Sequence, residues 1–436
     1  LNDGDVIITN HPAYGGSHLP DVTVICPVFS DTKELLGFLV NRAHHAEIGG
    51  ISPGSMPPAA ASLAEEGVVI PPISIMRNGQ VDLNGVESLL RGGAFPSRRV
   101  RENLADLKAQ VAANLKGLEE LLSLVREHGR AVVCQYMADI QNRAERSLRR
   151  KLAGQADGCY EGEQRLDDGT VLKVVGTISG ETLRLSFSDG GGVHTGNFNA
   201  TPGIVYSAVI YFLRVWLNEP MPLNEGLLRP VKIELPPGLL NPPFSDDPYK
   251  CPPVVAGNVE TSQRLVDTLL LAFEVVACSQ GTMNNLIFGN DRISFYETIA
   301  GGAGAGDGFA GESGVHVHMT NTGITDPEIL EYRFPVKLRE FSIRRGSGGD
   351  GEFPGGDGLV RELEFTEPVT LSLLTQHRVE SPYGLKGGQP GKTGEQWLFR
   401  KDEKPVCLAP TVRLEIQAGD RLRILTPGGG GWGTAL

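Results

Sequence analysis

The sequence predicts an α+β fold: a sheet-rich architecture of several subdomains, with a long antiparallel helical hairpin over about 98–154 and two further helices. Three observations lead there. Short runs rich in branched and aromatic residues alternate with Gly/Pro turns over residues 1–95 and again toward the tail. Between them the apolar spacing changes to three or four residues, the period of an amphipathic helix. Fifty-six glycines and 29 prolines call for many tight turns and long loops. A chain of 436 residues exceeds the size at which one core stops growing. It divides into a β region (1–95), a helical hairpin (96–156) and a β-rich region with inserted helices (157–436).

Each element has its own signal. VIIT, VTVICPVF (22–29) and LLGFLV (35–40) are strands by length and composition, and GGISPGSMPP (49–58) is a loop. From Pro96 a stripe of Leu104, Leu107, Val111, Leu115, Leu118, Leu122 and Val125 marks a helix that Gly129 ends. A second stripe (Val133, Met137, Ile140, Ala144, Leu148, Leu152) closes at Gly154. So short a link makes the two an antiparallel hairpin, a packing scaffold rather than a catalytic element. Beyond Gly158 strands return at 171–178, 182–188 and 231–235, with helices at about 203–217 and 261–278. The tail from Arg339 is β-rich, with glycine turns such as RRGSGGDGEFPGGDG and TPGGGGWG. There is no fixed-period repeat and no long polar linker.

Composition excludes some functions. A net charge of -12 speaks against nucleic acid, which needs a basic face. Cys26, Cys134, Cys159, Cys251, Cys278 and Cys407 lie far apart without a CxxC, as expected of a reduced, cytoplasmic protein without a zinc knot. The most apolar stretch, 265–278, contains Asp267 and Glu274 and falls short of the roughly 20 apolar residues a membrane span takes. Leu1 is not methionine and LNDGDVIITN has no signal-peptide character, so the chain reads as starting inside a domain whose upstream part is removed or carried on another polypeptide.

Three groups of residues suggest chemistry. In GGSHLPD, Pro20 keeps the segment out of a helix, and a turn can swing His18 and Asp21 to one side. Imidazole plus carboxylate suits zinc or manganese, although such a pair alone is more often a structural hydrogen bond. In NRAHHAEIGG, His44 and His45 face opposite ways on a strand. One enters a site, the other hydrogen-bonds behind it, and Glu47 shares the parity of His45. The plainer alternative is a pair of core histidines satisfied by backbone. In HVHMTNT, alternation puts His316 and His318 on one strand face; with Asn321 they edge a pocket or, the preferred reading, simply pack.

GGAGAGDG (301–308) lacks the Gly-Lys-Ser/Thr ending of a phosphate loop and is expected to be a mobile loop over the site. No GxSxG elbow appears, and no cysteine has an activating neighbour. The expected nucleophile is therefore metal-activated water.

NHPAYGGSHLPDVTVICPVF, RAHHAEIGGISPGSMPP, NLADLKAQVAANLKG, PLNEGLLRPVKIELPPG, AGNVETSQRLVD, GVHVHMTNTGITDPEILE, PYGLKGGQPG and TPGGGGWG together resemble the hydantoinase B/oxoprolinase family. The likeness is greatest to the C-terminal, B-type part of ATP-dependent 5-oxoprolinases and runs the length of the chain. It implies a two-part enzyme. An ATP-binding A-type subunit or domain, with its magnesium, phosphorylates the lactam oxygen of a small cyclic amide, and the B-type part hydrolyses the activated ring. It further implies one divalent metal on His18, Asp21 and His44, with a further carboxylate ligand from a region upstream of Leu1. His45 and Glu47 then orient the ligands or move a proton. A hetero-oligomer is expected, with neither nucleic acid nor membrane as partner.

Such proteins usually carry Arg where Pro354 stands, and losing that cationic fork weakens a phosphate or subunit contact. The runner-up readings are the B-type subunit of an N-methylhydantoinase, another lactamase or an ATP-dependent ketone carboxylase, and then a non-catalytic assembly subunit.

Overall fold

In the computed structural model, which describes residues 1–188 and 190–435, the opening strands form one antiparallel sheet. β1 (Val6–Thr9), β2 (Asp21–Phe29), β3 (Leu35–His44), β4 (Ile73–Arg77) and β5 (Gln80–Val81) take the order β3-β2-β1-β4-β5. Val6, Ile8, Val22, Val24 and Cys26 fall on one side by the two-residue period of a strand and fill an apolar cluster. Leu63 of α1 (Leu63–Glu66), Val86 and Leu90 of α2 (Asn84–Arg91), and Leu107 and Val111 of α3 (Val100–His128) complete it. The β2–β3 ladder runs on to pair Asp21 directly with His44, four residues beyond the apolar run that marks β3 in the sequence.

α3 and α4 (Arg130–Ala153) form the expected hairpin across Gly129, but their stripes are buried only near the base. Leu107, Ala144, Leu148 and Leu152 are inaccessible, whereas Leu115, Leu124, Met137 and Ile140 are exposed. Past the first sheet α3 runs beside α4, while α4 also rests on the 225–228 turn, where Arg229 donates to Gln141 and Asn142. α3 also docks through polar residues. Gln110 Nε2 donates to the Val22 carbonyl at 2.9 Å and to Asn41 Oδ1 at 2.8 Å, and Asn114 Nδ2 donates to the Val24 carbonyl at 3.2 Å.

A second sheet follows the hairpin: β6 (Gly158–Arg165), β7 (Val171–Ser179), β8 (Thr182–Ser186) and β9 (Val231–Glu234). β8 and β9 are parallel, and their crossover carries α5 (Pro202–Leu217). α6 (Ser262–Ala272) packs against α5 in the largest apolar cluster and is buried almost throughout. A π-helical turn, Gly257–Thr261, leads into it. α6 ends at Ala272, short of the expected Cys278, because Glu274 turns left-handed (φ 49°) and breaks the helical path.

The remaining elements are β10 (Asn285–Gly289), β11 (Ser294–Glu297), α7 (Pro327–Arg333), β12 (Val336–Arg344), β13 (Gly358–Phe365), β14 (Val369–Leu374), β15 (Glu395–Phe399), β16 (Val406–Cys407), β17 (Thr411–Ile416) and β18 (Arg421–Leu425). They form two antiparallel sheets, ordered β11-β10-β14-β17 and β12-β13-β18-β15-β16, around a third apolar cluster. The α+β class is as expected. α1, α2 and α7 add to the anticipated helices, being too short to show a periodic signal.

The tract 301–308 is not a loop over the site. Gly301, Gly302, Gly304 and Ala305 are buried, and the amides of Gly302 and Ala305 donate to the carbonyls of Pro427 and Gly430 at 3.0 Å each. The closing glycines thus lace remote stretches together: Gly429 N binds Gly356 O at 2.9 Å and Gly430 N binds Cys278 O at 2.8 Å. Pro354 is exposed. Among the described residues, no helix is long and apolar enough to cross a membrane.

Candidate metal centre

Asp21 opens β2 and His44 closes β3, directly across the ladder. That register brings His44 Nδ1 to 3.3 Å from Asp21 Oδ1. His18 arrives from the turn before β2, where the Asp21 amide donates to the His18 carbonyl at 3.0 Å. Leu19, fully buried in the apolar cluster, anchors that turn. Asn10 also holds it, donating to the Leu19 carbonyl at 2.8 Å and to the Val68 carbonyl at 2.9 Å.

The outcome is a focus of three side chains. One ligand atom each from His18, Asp21 and His44 lies within 4.8 Å of the others. The His18 and His44 rings stack with centroids 5.2 Å apart. Ser17 Oγ donates to Asp21 Oδ2 at 2.6 Å. Burial works to raise the Asp21 pKa, but the charge of His18 and the contacts from His44 and Ser17 outweigh it, holding the carboxyl well below the usual range.

The donor set fits a divalent cation. His18 Nδ1 is buried and comes to 3.1 Å from Asp21 Oδ2, yet it is out of line for a hydrogen bond and has no other partner among the described residues. Two imidazoles and an ionised carboxylate are the ligands zinc and manganese take. The His18 side chain is 3% exposed, while that of His44 is 38% exposed, so the focus is closed behind and open in front.

His45 faces the other way, as strand parity requires. Its Nδ1 accepts from Asn103 Nδ2 at 3.1 Å, which leaves the proton on Nε2, 3.2 Å from Gln110 Oε1. Burial lowers its pKa and keeps it neutral. Glu47 accepts from the amides of Gly49 and Gly54 at 2.7 and 2.9 Å and from Arg98 at 2.9 Å, clamping the 49–58 loop. Neither residue touches the three-residue focus.

His316 and His318 do not share a strand face, because His318 is left-handed (φ 58°) within a turn. His318 Nε2 lies 2.9 Å from Asp267 Oδ1 and His316 Nε2 lies 3.4 Å from Thr322 Oγ1. His318 and Asn321 line a surface cleft with Tyr211.

Sequence reading missed the residues behind the focus. Asn258 Nδ2, on the π-helical turn, is 3.5 Å from His18 Nε2. The Tyr296 ring lies 6.1 Å from that of His44, and its hydroxyl donates to Asn285 Oδ1 at 2.8 Å. Asn285 in turn donates to Glu260 Oε1 at 2.6 Å. Burial raises the Glu260 pKa to about 8 despite hydrogen bonds to the group. The one signal available was the polar run GNVET before an apolar helix; nothing local tied it to a turn so far upstream.

The chain is similar to known proteins along its whole length. The hydantoinase B/oxoprolinase family model matches residues 1–435. The 5-oxoprolinase 1 of Arabidopsis thaliana is 44% identical over 100% of this chain, which spans 36% of that protein's length. The ATP-dependent caprolactamase of Pseudomonas jessenii superposes with a TM-score of 0.88 at 27% identity, covering 100% of this chain and 78% of that one. A nucleotide-free acetone carboxylase shares the fold, with a TM-score of 0.86 at 19% identity over 99% of this chain and 65% of that one.

Proposed function

Because the chain belongs to the hydantoinase B/oxoprolinase family, we propose that it is the hydrolytic, B-type part of an ATP-dependent cyclic-amide hydrolase, with 5-oxoproline as substrate. The observation that carries the reading is the convergence of His18, Asp21 and His44 at an open face. An A-type ATP-binding part, with its magnesium, supplies the activated lactam.

The chemistry follows from the substrate. Amide resonance makes a lactam carbonyl a poor electrophile, and phosphorylating its oxygen turns that oxygen into a leaving group. His18, Asp21 and His44 would hold one zinc or manganese ion, and a divalent ion so bound brings its water toward ionisation near neutral pH. Asp21, kept ionised by its neighbours, stays available as an anionic ligand at any physiological pH. Ser17 fixes the direction of one carboxylate oxygen, and Asn258 faces the far nitrogen of His18. His45, neutral and bound to α3, fixes the end of β3 from behind. The exposed edge of His44 leaves the carbonyl a path of approach.

Reconstitution with an A-type part tests this. Wild type should show 5-oxoproline-dependent ATP turnover with ring opening. His18→Ala should lose the bound metal, and its loss of turnover should exceed the roughly 10–100-fold typical of outer-shell changes. Oxoproline left intact by the reconstituted pair would reject the substrate. Unchanged metal content and turnover in His18→Ala would reject the site.

A further inference from the structure

A second convergence of donors lies in the interior, away from β2 and β3. Asp267 on α6, Cys278 on the segment after it and His377 just past β14 bring one ligand atom each within 4.8 Å of the others, and all three residues are 0% exposed. We propose that these side chains hold a structural zinc ion, independent of the open focus at His18.

The donors are already arranged for it. His377 Nδ1 donates to the Glu380 carbonyl at 2.6 Å, which directs the free lone pair of Nε2 inward. Metal-binding histidines are commonly oriented in this way. Cys278 Sγ is 3.8 Å from that Nε2. Zinc bonds of about 2.3 Å to sulfur and about 2.0 Å to nitrogen would set the two roughly 3.6 Å apart in a tetrahedron. Asp267 Oδ1 is held by His318 Nε2 at 2.9 Å, while Oδ2 is buried without a hydrogen-bond partner among the described residues. A buried carboxylate oxygen left in that state costs free energy that a cation would remove.

The backbone makes room for the group. Gly281 is left-handed (φ 56°), and a Cβ there would lie 2.4 Å from His377 Nε2 and 2.7 Å from Asp267 Oδ2. Arg264 is buried nearby, and among the described residues none of its guanidinium nitrogens has a hydrogen-bond partner. A bound zinc would displace the Cys278 thiol proton, and thiolate plus carboxylate would then match the two charges of the ion. Borderline nitrogen, sulfur and oxygen donors in a closed pocket select zinc over magnesium or calcium. The ion would staple α6 to the 278 and 377 segments, steadying the helix whose leading turn carries Asn258.

Elemental analysis and cobalt spectroscopy on the intact protein test the assignment. Wild type should hold two ions per chain, and His18→Ala and Cys278→Ser one each. Protein produced in cobalt medium should show a thiolate-to-cobalt charge-transfer band in the near ultraviolet. The band should persist in His18→Ala, since the open focus contains no sulfur, and vanish in Cys278→Ser. Absence of the band from wild type would overturn the proposal, even if Cys278→Ser failed to fold. So would its survival in a folded Cys278→Ser. An empty His18 focus with the band intact would reject the functional reading alone.

Discussion

His44 and His45 show how one step along a strand separates two identical side chains. His44 faces Asp21 at an open surface, while His45 is buried against Gln110 and Asn103. Strand parity alone said that only one could enter the focus and family resemblance named His44; the ladder register that brings it to Asp21 is the physical reason, and no local pattern encodes that pairing. Asn258 and Tyr296 were illegible for the same reason, since their nearness to His18 and His44 exists only in the fold. The buried neutrality of His45 has a measurable effect. Its folded pKa lies below the ordinary 6.5, so the unfolded chain binds the proton more readily. The stability this gives is complete above pH 6.5 and is lost as pH falls toward the depressed value. The stability gap between wild type and His45→Gln, taken from urea midpoints, should therefore narrow from pH 8 to pH 5. A gap that widens on acidification would contradict the neutral assignment.

Among the elements, the hairpin was the most legible and yet the least simply packed. Its period and its break at Gly129 could be read residue by residue, because a helix writes its buried face into its own spacing. Which half of the stripe is covered depends on how far the sheet reaches, and that is written elsewhere. Nor did the apolar count reveal that α3 is fastened to β2, β3 and the residues just beyond β3 by Asn103, Gln110 and Asn114, all buried. Polar anchoring should outweigh the outer leucines. Gln110→Ala leaves His45 Nε2, the Val22 carbonyl and Asn41 Oδ1 short of a partner. At roughly 1–3 kcal/mol for each buried group left unpaired, a loss of several kcal/mol is expected. Leu124→Ala, at a position 48% exposed, should stay within about 0.5 kcal/mol. Equal shifts in denaturation midpoint for the two variants would contradict this account.

Across the whole molecule, the sheets and clusters follow from strand composition, but the role of glycine does not. The tract 301–308 reads as loop by composition, yet most of 301–306 is buried because neighbouring backbones approach it closely, a property of packing between remote segments. Gly429 is the clearest case: a Cβ there would lie 1.9 Å from the Ala303 carbonyl oxygen. Gly429→Ala should therefore loosen the interior, so that limited proteolysis cuts within 301–308 in the variant and spares it in wild type. Equal resistance in both would show that the close approach can relax.

The lacing of residues 428–431 to Cys278, Ala305 and Gly356 also has a kinetic meaning. These amides are synthesised long after the segments they join, so on the ribosome those segments must wait with unpaired backbone groups for partners still to be translated. A slow final closing step follows, dominated by contacts remote in sequence. Nascent chains halted before Gly428 would be the species most in need of a chaperone.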